Sequence, residues 1–112
     1  MMDFRISQLY GFLALADHLH YGAASRVLSV RQSTLAFRIS SLEDNLRVKL
    51  FVRTRKGLKL TEAGRGFRSY ARIILDTTER ARSCMDKFRS TGLRAIPPLP
   101  VRAFTLTKTT LQ

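Results

Sequence analysis

The chain has 112 residues, 45% of them apolar and 25% charged, the size and mix of about one folded domain. Its 20 Lys and Arg face 8 Asp and Glu, a net charge of +12 that favours a polyanionic partner. No apolar run approaches the ~18 residues of a membrane span, the N-terminus has no signal-peptide pattern, and a single cysteine, Cys84, excludes a disulfide framework or a multi-cysteine zinc site.

The charge is unevenly spread. Residues 1–30 are balanced, whereas residues 31–60 hold eight basic residues against Glu43 and Asp44. Half of the net charge therefore lies in one short stretch. A solvated basic face would explain it, but the periodicity there points further.

Residues 6–19 predict an amphipathic helix, with Ile6, Leu9, Phe12, Leu13, Ala16 and Leu19 near helical spacing and Ser7 or Asp3 as candidate cap. His18, His20, Tyr21 and Gly22 break the pattern and suggest a turn. Residues 22–28 predict a short helix with Ala24 and Leu28 inward, and Ser29-Val30 a tight connection. Residues 31–46 predict a third helix, its core stripe Leu35, Ile39, Leu42 and Leu46. Next, Val48, Leu50 and Val52 alternate with Lys49 and Phe51, and Leu58 and Leu60 flank Lys59, which predicts a β-hairpin over about 48–60. Arg55-Lys56-Gly57 forms its tip, where glycine accepts positive φ. Thr61 is placed to cap the last helix, and Glu62 suits its N-terminal dipole.

That helix runs to about Ser90. Ala63, Phe67, Tyr70, Ile74, Thr77, Ala81, Cys84 and Phe88 keep an alternating four-three spacing, a heptad seam. At ~1.5 Å per residue it is too long to pack entirely on a small domain, so part of the seam is expected to meet a second copy. The expected dimer interface is Phe67, Tyr70, Ile74, Thr77, Ala81, Cys84 and Phe88. Residues 92–112, with Pro97, Pro98 and Pro100 and several threonines, predict a disordered tail.

The fold class expected is mainly α: a winged helix-turn-helix over 4–61, with its helix-turn-helix at about 21–41, then a linker helix over 62–91. This arrangement suits double-stranded DNA. The major groove admits one helix and displays a readable donor and acceptor pattern. Arg31, Gln32, Ser33, Thr34 and Arg38 are expected on one side of the third helix. Gln32 can pair with adenine, and Arg31 with the helix N-terminal amides can hold phosphate. Arg53, Arg55 and Lys56 in the hairpin reach for a neighbouring strand or the minor groove; the alternative for Arg53 is an ion pair with Glu43 or Asp44. His18 and His20 are expected as helix-end residues, without a metal. There is no Gly-rich phosphate loop and no paired His, Cys or carboxylate site, so neither an enzyme nor a cofactor is expected.

At these residues the chain resembles the LysR-type transcriptional regulators. The stretch LYGFLALADHLHYGAASRVLSVRQSTLAFRISSLEDNLRVKLFVRTRKGLKLTEAG follows their pattern, and the likeness extends over about 4–92. It implies a cytoplasmic, nucleoid-associated homodimer joined through the long helix. A higher oligomer and a heterodimer with a full-length relative are alternatives. Three departures stand out. Ala36 and Phe37 occupy positions where the family usually has Ser and Arg, so Phe37 either touches a thymine methyl or is partly packed. Arg47 stands where a helix-ending Gly is common. The chain is expected to lack the family's ligand-sensing domain, so no small-molecule effector is expected. Two rival readings are a dimerisation module that titrates a full-length relative and a basic RNA-binding or assembly protein.

Overall fold

A computed structural model of the chain describes residues 3–91. Six elements follow in order: α1 (Ile6–His18), α2 (Tyr21–Leu28), α3 (Gln32–Leu46), β1 (Phe51–Thr54), β2 (Gly57–Leu60) and α4 (Glu62–Thr91). This is the mainly helical, winged helix-turn-helix order that the periodicity predicts. The expected Pro- and Thr-rich tail lies outside the described residues.

The chain divides into two compact units after Leu75. The division falls within α4, not at its start, where the sequence placed a boundary between 4–61 and 62–91. The reason is packing: Ala71 and Leu75 are buried in the core of the first unit, and Phe67 and Ile74 pack against it.

That core gathers Leu9, Phe12 and Leu15 of α1, Ala24 of α2, and Leu35, Ile39 and Leu42 of α3, all nearly or fully buried. Phe12 is its aromatic centre, with ring centroids 5.5 Å from Phe51 and 5.2 Å from Phe67. Phe67 also meets Phe4 edge-on at 6.1 Å. Phe67, expected in the dimer seam, therefore serves its own domain. Full burial of a side chain of this size contributes about 1.5–3 kcal/mol, and the half-buried Phe67 gains part of that, which helps to keep the first turns of α4 on the domain. At the ends of α1, Ile6 and Leu19 are partly exposed, at 38% and 39%, instead of joining the core.

The helix ends correct several sequence expectations. Neither Ser7 nor Asp3 caps α1: Arg5 is the N-cap residue, and its backbone N–H donates to Gln8 Oε1 at 2.7 Å. Tyr21 lies inside α2 rather than in a turn, because His20 caps that helix, its Nδ1 accepting from the Ala23 N–H at 3.0 Å. Leu19, Ser29 and Arg47 end α1, α2 and α3 in the left-handed region, with φ of 51°, 56° and 59°. Arg47 thus adopts the conformation for which glycine is favoured, and its N–H still closes on the Asp44 carbonyl at 3.3 Å.

The hairpin begins later than the alternation suggested. Val48 and Val52 are exposed, while the adjacent Leu50 and Phe51 are both buried. Glu43 explains this: its Oε2 accepts from the Leu50 N–H at 2.7 Å and the Phe51 N–H at 3.2 Å, so this segment is bonded to α3. β1 and β2 pair antiparallel, with Phe51 opposite Leu60 and Thr54 opposite Gly57. Gly57 turns the tip at φ 117°. Thr61 caps α4 as expected, its Oγ1 accepting from the Gly64 N–H at 3.0 Å. Gly64 is required by close approach, since a Cβ there would sit 2.2 Å from the Leu50 carbonyl oxygen.

The first unit is also tied by charge. Asp17 of α1 receives Arg68 and, at 3.4 Å, Arg72 of α4. In the second unit, α4 continues with Thr77, Cys84 and Phe88 half-buried and Ala81 and Met85 exposed. Glu79 pairs with Arg82 at 3.4 Å, and Asp86 pairs with Arg89. No helix of the described residues is long and apolar enough to cross a membrane.

Candidate nucleic-acid interface

The candidate interface is built by α3 and the hairpin. One stripe of α3 carries Leu35, Ile39 and Leu42 into the core. At about 100° per residue, the opposite stripe centres on Ser33 and Phe37. Gln32, Ser33, Ala36 and Phe37 are all exposed. Ser33 and Ala36 are short, Gln32 lies beside Gly22 of α2, and backbone amides at the helix start remain available to an anion.

Arg38 departs from its expected place. It lies about 120° around the helix from Gln32 and is half-buried, not on the same side. Its Cβ is 3.9 Å from where a Cβ on Gly11 of α1 would be, so its stem lies beside α1. Thr34 is likewise half-buried on that flank, whereas Arg31, the N-cap residue, is exposed. The expected set therefore splits: Arg31, Gln32 and Ser33 are exposed, and Thr34 and Arg38 are half-buried on the other shoulder.

On the Gln32 side a hollow of about 380 Å³ opens between α2, α3 and the hairpin, lined by Tyr21, Gln32, Ser33, Ala36 and Arg53. The Arg53 guanidinium sits 5.9 Å from the centre of the Tyr21 ring. This cation–π contact holds the guanidinium beside Tyr21 of α2 without consuming its five donors. The alternative ion pair of Arg53 with Glu43 is not formed: that carboxylate serves the Leu50 and Phe51 amides, and Lys49 approaches it at 3.7 Å. Burial pushes the Tyr21 phenol above its ordinary pKa, Glu43 adds to the rise and Arg53 opposes it. Tyr21 thus stays a neutral hydroxyl donor. The sequence signal for it was hidden, because a cap by histidine is uncommon and residues 20–22 read as a turn.

At the hairpin tip, Arg55 and Lys56 are exposed. Thr54 shapes the turn: its Oγ1 donates to the Gly57 carbonyl at 2.9 Å and accepts from the Lys56 N–H at 3.2 Å. Phe37 is 72% exposed and takes no part in the core.

Comparison with known proteins agrees with this architecture. Residues 6–65 match the lysR family of bacterial regulatory helix-turn-helix proteins. The transcriptional regulator YwqM of Bacillus subtilis is 37% identical over 86 residues, which cover 77% of this chain and 29% of that protein. The chain thus spans under a third of that relative's length. Vibrio fischeri DarR in complex with DNA superposes with TM-score 0.75 at 29% identity, over 80% of this chain and 31% of that one. The BenM_DBD/catB site 1 DNA complex gives TM-score 0.73 at 25% identity, over 78% of this chain and 98% of that one. The same order of helices and wing, matched in sequence and in structure, places the chain in the LysR family of helix-turn-helix regulators.

Proposed function

We propose that the chain binds double-stranded DNA sequence-specifically as a transcription regulator. The N-terminal half of α3 enters the major groove, and the β1–β2 wing lies against a neighbouring backbone. One observation carries this reading: Gln32, Ser33, Ala36 and Phe37 are all exposed, on the helix whose other side anchors the core. The similar BenM and DarR structures, both solved with DNA, support it.

In this reading Gln32 reads a base edge. Ser33 and the first amides of α3 hold phosphate or base, with Arg31 alongside. Arg53, Arg55 and Lys56 bind the backbone from the wing. Thr34 and Arg38 take phosphates from the α1 side. The protein acts as a homodimer in the bacterial cytoplasm, joined along α4 through Tyr70, Thr77, Ala81, Cys84 and Phe88. Tyr70 is 49% exposed on its own domain, which supports a role beyond it.

The test is competition between duplex DNA and structured RNA at two salt concentrations. The expected result is preference for duplex, with affinity falling on a log–log plot by about 0.9 per phosphate neutralised. Preference for structured RNA would favour the RNA-binding alternative.

A further inference from the structure

We propose that Phe37 reads the 5-methyl group of a pyrimidine in the major groove and so sets the specificity of this interface. The proposal rests on the DNA-binding reading above and deepens it.

Phe37 is the most exposed of the large apolar side chains among the described residues. Nothing in the fold rewards that exposure, since the core stripe of α3 lies on the opposite side. Its surface neighbours on a helix are the residues three and four positions away. Here those are Ser33, Thr34, Ser40 and Ser41, all small. The ring consequently stands above a floor of short hydroxyl side chains, with Ala36 beside it. A flat helix face would keep the ring from reaching any concave partner; this one projects it.

The chemistry of the ring then selects the ligand. Phenylalanine has neither a hydrogen-bond donor nor an acceptor, so it cannot read the nitrogens and oxygens of base edges. The apolar feature displayed in the major groove is the methyl group at C5 of thymine. A 5-methylcytosine presents the same group. The basic residues around the stripe, Arg31 and Arg53, bring the phosphate backbone toward the same face, and the ring meets whatever base edge lies between.

The experiment uses the full chain. A duplex is first enriched from a random pool, and each thymine in it is then replaced in turn by deoxyuridine, which lacks only the methyl. The proposal expects one position, or its symmetry mate, where this weakens binding by about fourfold, the loss expected for one buried methyl. Phe37→Ala should bind the thymine and uracil duplexes alike, and Phe37→Leu should retain part of the preference. Placing 5-methylcytosine at that position should restore binding relative to cytosine, which identifies the methyl rather than thymine itself as the ligand. Circular dichroism of Phe37→Ala should match wild type, because the side chain is exposed. Enriched duplex binding with no uracil effect would overturn this proposal alone, as would an equal uracil effect in wild type and Phe37→Ala. Absence of any duplex binding would bring down the DNA-binding reading together with it.

Discussion

Leu35, Ile39 and Leu42 on one side of α3 are each 2% exposed or less, whereas Phe37, two residues from Leu35 and Ile39, is 72% exposed. Both faces carry large apolar side chains, so hydrophobicity alone does not separate core from surface here. The core face is over-determined: three aliphatic residues share it, and Glu43 adds two hydrogen bonds from the same helix to the start of the wing. The outer face is less determined, because its large apolar side chain, Phe37, stays exposed instead of packing. Residues free of structural duty are where recognition can change from one relative to another without cost to the fold.

The two faces should respond to substitution on different scales. Leu42→Ala, on the core face, should lower unfolding free energy by about 3 kcal/mol, measured by urea denaturation. Glu43→Ala should cost about 2–3 kcal/mol, because it strands the buried Leu50 and Phe51 amides; Glu43→Gln keeps one acceptor and should cost less. Arg47→Gly should act in the opposite direction, raising stability by about 1 kcal/mol, since glycine adopts the left-handed conformation without a Cβ penalty. Phe37→Ala and Gln32→Ala should stay within about 0.5 kcal/mol of wild type in stability. A loss above that range for either would mean that the outer face does serve the fold, and the distinction between the faces would collapse.

Much of this division was readable from spacing. The stripe Leu35–Ile39–Leu42, the Thr61 cap and the Gly57 tip all follow from local rules, and all three appear in the structure. What local rules missed was settled by contacts between distant residues. Val48, Leu50 and Val52 alternate as a strand would, yet the Glu43 carboxylate binds the backbone of this segment before the hairpin begins. Phe67 fits a heptad seam, but the turns that start that seam also carry Gly64, Ala71 and Leu75, which face the core. The two spacings coincide there, and only packing separates them. Arg38 and Gln32 do not share a side of α3, because their positions on the helix circle differ by about 120°. Tyr21 reads as a turn residue in the sequence because its helix starts with an unusual histidine cap. Arg47 could be flagged as a departure, but its left-handed backbone is visible only in the fold.

The central claim is that the exposed face of α3 reads DNA sequence. The most direct test is to enrich duplexes from a random pool with the wild-type chain and, separately, with Gln32→Ala. The account predicts an enriched inverted repeat for the wild type, and loss of preference at one base pair per half-site for the variant, worth about 1–3 kcal/mol of discrimination. The same motif with the same preferences in both selections would contradict it.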